Sequence, residues 1–256
     1  MGRRIMASGM SGTAGFGEVR IGRIIGSAFG VSRQVLWPLA LVFLLAAIPS
    51  IVQQYEAKTG LLNATRPDRP GFWLTLMTPV LISLLTTPFV HGVATVMCLD
   101  NLRGARTSLS AAASVAAQAY PRMLGMYLCV VIGYMLGMIF LIIPGIMFAV
   151  ACWVVTPSCM AEGLGPIESI KRSAALTKGY RWKLFGLALV LALLGGVVVA
   201  MFIPVGKLAG PLVGGVGQAI FGAVVGVFGI AVGSTTYIAL REAREGMSTT
   251  RLAAVF

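Results

Sequence analysis

The residues able to do acid–base, nucleophilic or metal chemistry are few and scattered. His91 is the only histidine among 256 residues, and Asp and Glu together number 8. A metal site needs three or four converging donors; no second histidine and no carboxylate cluster stands at ligand spacing from His91. Cys98, Cys129, Cys152 and Cys159 form no C-x-x-C pair and lie in or beside apolar runs, so they read as small buried hydrophobes rather than ligands or a disulfide framework. A Ser–His–Asp arrangement would have to recruit Asp68 or Asp100, and no serine sits in a nucleophile elbow. No phosphate-binding glycine loop with its Lys-Ser/Thr occurs. Asn63-Ala64-Thr65 matches a glycosylation acceptor, a short and unspecific motif. Glu162 is placed to pair with a nearby cation, which is a structural role. The expectation is a protein with no catalytic residue, no metal and no cofactor, and not an enzyme.

Elements that carry so little chemistry are dictated by composition. The chain is 57% hydrophobic and 11% charged, with mean hydropathy +0.90, whereas a soluble domain has about a quarter charged residues. Its net charge of +12 is expected to meet anionic inner-leaflet headgroups rather than nucleic acid. A spanning helix takes about 20 apolar residues. Six runs qualify: 35–52, 72–97, 123–141, 146–161, 184–204 and 212–240. Alternating sides assigns 16 cations to one face: the N-terminal Arg3, Arg4, Arg20, Arg23 and Arg33, the loops around Arg103, Arg106 and Arg122 and from Lys171 to Lys183, and the tail with Arg241, Arg244 and Arg251. The other face takes 4: Lys58, Arg66, Arg69 and Lys207. That bias predicts six spans with both termini cytoplasmic. No apolar stretch follows Arg3-Arg4 closely, so a cleaved signal peptide is not expected.

A unit recurs three times: an interfacial segment, a span, an Ile-Pro turn and a returning span. The segments are VRIGRIIGSAFGVSRQ, TSLSAAASVAAQAYPR and GPIESIKRSAALTKGYRW; the turns are at Pro49, Pro144 and Pro204. The expected fold is therefore an all-α integral membrane protein of three helical hairpins, each preceded by an interfacial amphipathic helix. In the first segment Ile21, Ile24, Ile25, Ala28 and Phe29 share one face, and Arg20, Arg23 and Ser27 the other. The uncharged second, from Thr107 to Tyr120, is the one expected to bury against the bundle. The third starts with Pro166 at the first helical position. Glu168 is there to pair with Arg172 four residues on, Ile167, Ile170 and Ala174 form an apolar strip, and Gly179 ends the helix. The headgroup residues are expected to be Arg20, Arg23, Arg33, Arg172, Lys178, Arg181, Trp182 and Lys183.

In the last span Gly215, Ala219, Gly222, Gly226, Gly229 and Gly233 form a small-residue seam, and Gly133 and Gly137 repeat the motif in the third. Such seams let helices approach closely in lipid, where no hydrophobic force drives them together. The last span is thus expected to pack on another helix, of this chain or of a second copy in a homo-oligomer.

The stretches FGEVRIGRIIGSAFGVSRQVLWPLALVFLLAAIPS and IIPGIMFAVACWVVTPSCMAEGLGPIESIKRSAALTKGYRWKLFG resemble a bacterial family. It is the integral membrane domain found N-terminal to some glycerophosphoryl diester phosphodiesterases, together with its stand-alone relatives. The second stretch is the more specific, with its Pro-Gly turn, Pro157, Glu162, Arg172-Ser173 and Lys178-Gly179. The resemblance implies a six-span bacterial inner-membrane protein. It implies no phosphodiesterase activity, because that chemistry belongs to a separate soluble barrel. The expected organisation is a cytoplasmic N-terminus with its interfacial helix (1–34), a six-helix membrane domain (35–240) and a cytoplasmic tail (241–256). The expected role is non-enzymatic: organising or handling lipid or another amphiphile, or acting as a membrane scaffold subunit. The alternative is a secondary transporter or permease for a small solute, for which the repeats and the in-span Pro79, Pro88 and Pro157 speak.

Overall fold

A computed structural model describes residues 21–59, 72–140, 142–208 and 210–245. Arg20 and the Asn63-Ala64-Thr65 motif lie outside them. Every element among the described residues is helical: α1 (Ile21–Thr59), α2 (Phe72–Leu102), α3 (Leu109–Phe140), α4 (Ile142–Ala151), α5 (Val155–Glu162), α6 (Pro166–Thr177), α7 (Arg181–Leu208) and α8 (Pro211–Glu245). Six stretches are long and apolar enough to cross a membrane, the fourth being α4 and α5 taken together as Ile143–Glu162.

Only the third interfacial segment is a separate helix. The first runs unbroken into its span as α1, and the second does the same as α3. Nothing between Ile21 and Val35 stops a helix. Pro121 inside α3, like Pro38 and Pro49 inside α1 and Pro204 inside α7, is carried within the helix. Long apolar helices accommodate proline because neighbouring groups satisfy the freed carbonyls. The Tyr120 hydroxyl donates to the Leu85 carbonyl at 2.9 Å, beside the proline-disrupted turn at Pro88. The Ile-Pro pairs are therefore not turns: only Pro144 lies near a helix start, and the chain reverses after α7 at Gly210, whose φ is +91°.

Consecutive helices touch as α1–α2, α2–α3, α3–α4 and α7–α8, with α2–α3 the most extensive of these, so contact does not single out three hairpins; the most extensive contact of all joins α1 to α8, the first and last described helices. The α1 strip Ile24, Ala28, Val31, Val35 and Leu39 is buried there, with Val227, Ala231, Val232 and Leu240 of α8 in the same core. Ile24 and Ala28, expected in the headgroup plane, thus belong to the protein interior. The second segment behaves as expected: Ala112 and Ala116 are fully buried in that core, and Ala119 in a smaller cluster with Met123, Met126, Cys152 and Cys159.

Packing is concentrated at one end of the bundle. Core residues come from the beginnings of α1, α3 and α7 and from the ends of α2 and α8. Hydrogen bonds join the same end, from Asn101 to Gln34 and from Arg122 to the Gly163 carbonyl. Toward the other end apolar side chains are exposed: Leu41 and Leu45 on α1, Met135 and Ile139 on α3, and Leu193, Leu194 and Val197 on α7. There α3 and α4 meet through glycine. A Cβ added at Gly137 would lie 2.8 Å from the Gly145 Cα, and one at Gly133 would lie 2.6 Å from the Phe148 ring.

Candidate functional site

The polar residues gather where α5, α6 and α8 meet. The chain leaves α5 through Gly163, which adopts the left-handed φ of +67° while its N–H donates to the Cys159 carbonyl. That corner sets the Glu162 carboxylate beside the start of α6. There Gly165 caps the helix, Pro166 occupies its first turn, and Glu168 accepts a 3.1 Å hydrogen bond from the Gly165 N–H. Glu168 is thus occupied as half of a capping box, and Arg172 turns to other partners than the expected one.

Those partners close a ring. Arg172 Nε donates to both Glu162 oxygens, at 3.0 and 2.8 Å, and Arg172 Nη2 donates to Glu245 Oε1. Glu245 Oε2 accepts from Arg241 Nε at 2.8 Å. Arg241 Nη1 donates to the Tyr237 hydroxyl at 3.4 Å, which itself donates to Glu162 Oε1 at 2.7 Å. Tyr237, Arg241 and Glu245 stand four apart on one face of the last turns of α8, as a helix requires. Two cations and two carboxylates make the ring neutral. Its charged side chains are 18–29% exposed, so each pair falls between the surface and buried regimes and contributes on the order of 1 kcal/mol. Burial works against the Arg172 charge, but hydrogen bonds to Glu245 and Glu162 outweigh it and hold the guanidinium above its usual range.

Two arginines cap the flanking helix ends. Arg122 Nη1 donates to the Gly163 carbonyl at 3.1 Å. Arg244 donates to the Leu176 carbonyl at 3.1 Å and to that of Lys178. Beneath α6 the fourth span is interrupted over residues 152–154. Ser173 bridges the gap, donating to the Ala151 carbonyl at 2.7 Å and accepting from the Val154 N–H at 3.3 Å. Ser169, Ser173 and Thr177, four apart and fully buried, make the inward face of α6 a row of hydroxyls. The expected apolar strip faces elsewhere: Ile167 is 61% exposed and Ile170 packs on the small Met–Cys cluster.

Of the expected headgroup residues, Arg23, Arg33, Lys178, Trp182 and Lys183 are exposed, Trp182 at 79%. Arg181 is half-buried, with its Nε lacking a partner among the described residues. Arg172 departs from the group, since its charge is spent inside the ring. The α8 seam divides. Gly215 is buried and Ala219 half-buried. An added Cβ at Gly226 would meet the Phe43 ring at 2.6 Å and one at Gly233 would lie 3.9 Å from the Trp153 carbonyl, but Gly222 and Gly229 have nothing within 4 Å. His91 faces Phe43 with ring centroids 6.2 Å apart. Asp100 accepts from the Thr107 hydroxyl at 2.5 Å. Cys98, Cys152 and Cys159 are buried and unpaired, as small hydrophobes would be. No group of three or more His, Cys, Asp or Glu among the described residues is arranged to hold a metal ion.

Sequence reasoning paired Glu162 with a cation of the third segment but missed Tyr237 and Glu245, and counted Arg241 only toward charge bias. The signal available was the Tyr-x-x-x-Arg-x-x-x-Glu spacing at the end of the last span. The ring fastens α6 to α5 and α8. Comparison with family models, curated proteins and solved structures finds no match for this chain.

Proposed function

We propose that this polytopic membrane protein works by binding rather than catalysis, holding or organising phospholipid or a related amphiphile at the inner leaflet of a bacterial cytoplasmic membrane. The observation that carries this reading is the head of α7. Lys178, Trp182 and Lys183 are exposed there, and the same helix then exposes Leu189, Leu193, Val197 and Met201 along its length. A cationic and aromatic rim continuous with an apolar wall matches the two halves of an anionic lipid. The buried Arg181 Nε without a protein acceptor supports the same reading, as an incoming phosphate oxygen would satisfy it. The likeness to the membrane domain of glycerophosphoryl diester phosphodiesterases belongs to this proposal; the residues carrying it, Glu162, Arg172-Ser173 and Lys178-Gly179, lie at this corner.

Transport is the second reading, favoured by the interrupted fourth span, because transporters place binding sites at broken helices. Here Ser173 already occupies the freed backbone groups, which favours lipid handling. The test is native mass spectrometry of the full chain released from membranes. We expect retained anionic phospholipid. A Lys178→Glu, Lys183→Glu variant should retain at least about thirtyfold less, since two basic residues near the surface contribute about 1 kcal/mol each. Equal retention by both proteins, or none by the native one, overturns the proposal.

A further inference from the structure

We propose that α6 is a lid over the interrupted fourth span, and that the Arg172–Glu245 bond is its latch. Helices that dock permanently do so by burying an apolar face. The inward face of α6 instead presents Ser169, Ser173 and Thr177, with Leu176 its one fully buried large hydrophobe. Apart from Leu176 in the main core and Ile170 on the Met–Cys cluster, what holds α6 down is polar and local: Ser173 on the gap, Arg172 on Glu245, and Arg244 on the carbonyls at the end of α6. Each is a directional bond that water or a headgroup can replace, and the latch pair is 29% and 24% exposed. Beneath the lid lie the Ala151 carbonyl and the Val154 N–H, backbone groups that no helix serves. Lifting α6 would uncover them, together with the buried Cys159, whose Sγ lies 3.5 Å from the Leu164 carbonyl just ahead of α6. Gly163 and Gly179, both at positive φ, bound the moving segment and absorb the change. The inference stands apart from the lipid reading, since it concerns the motion of one helix whatever the protein holds.

Hydrogen–deuterium exchange of the full chain in lipid nanodiscs tests it. Glu245→Ala removes the acceptor that Arg172 reaches on α8 while leaving Arg172 on Glu162. The variant should exchange about tenfold faster at residues 152–155 and 166–177, the loss expected for one charge-assisted hydrogen bond. Exchange over residues 24–39 of α1 should stay unchanged, and a thiol reagent should label Cys159 faster in the same sample. Arg244→Ala, which frees the other end of α6, should give the same local pattern. Unchanged exchange at 152–155 in both variants overturns the lid, and so does a uniform rise across all helices, which would make the ring a global brace.

Discussion

At the scale of single residues, the small side chains decide how near two helices come. Gly137 is held against the Gly145 backbone, where an added Cβ would be 2.8 Å from a Cα that cannot swing aside. Gly137→Leu should therefore destabilise the protein by about 2 kcal/mol through overpacking, whereas Gly229→Leu, with nothing within 4 Å, should change stability by less than about 0.5 kcal/mol. Thermal unfolding of both variants in one detergent checks the contrast, and equal shifts would refute it. The Gly133 and Gly137 contact was legible in the sequence. The direction of the α8 seam was not. At about 100° per residue the six positions share an arc of roughly 80°, yet an added Cβ at Gly226 meets the Phe43 ring while Gly222 and Gly229 have nothing within 4 Å. Spacing reveals that small residues align; it does not reveal toward which neighbour.

At the scale of elements, the joint between α4 and α5 is the least expected feature. Its residues, Cys152, Trp153 and Val154, include neither glycine nor proline; the local signal is Pro157 in the first turn of α5, which has no N–H to give the Trp153 carbonyl. The break persists because a hydroxyl from α6 answers both loose backbone groups. Ser173→Ala should leave the Val154 N–H unpaired and the Ala151 carbonyl with only the long 3.5 Å bond from the Thr177 hydroxyl, and cost about 1–3 kcal/mol, read as a lowered melting temperature and faster exchange of the Val154 amide; an unaltered protein would show that the serine is incidental. Where information was local, the reading succeeded: Pro166 opens α6, and Gly179 follows it at φ +87°. Where it was distant, the reading failed, since Arg172 and Glu245 are 73 residues apart and no periodicity links them. The pairing given to Glu168 failed for the opposite reason: its own helix start competed for it.

At the scale of the whole molecule, six apolar stretches were readable from composition and length alone, but the uneven distribution of packing was not. The interior is built at the charge-bearing end, and the far ends of the helices expose their apolar side chains. Leu184, 2% exposed at the packed end of α7, and Leu194, 62% exposed further along the same helix, make a matched pair. Leu184→Ala should cost about 2 kcal/mol or more and Leu194→Ala less than about 0.5 kcal/mol. Denaturation in mixed micelles measures both, and comparable losses would mean that the far ends are as tightly packed as the near ones.

The closure of α1 on α8 also orders events during synthesis. The ribosome makes α1 well before α8, its chief neighbour. With chain growth at about 5–20 residues per second, the strip from Ile24 to Leu39 must wait on the order of ten seconds or more for its cover to be translated. Throughout that interval it faces acyl chains or an insertion factor. The main core of the nascent protein thus closes only once α8 is made, and a message truncated before α8 would leave the α1 strip without its chief cover.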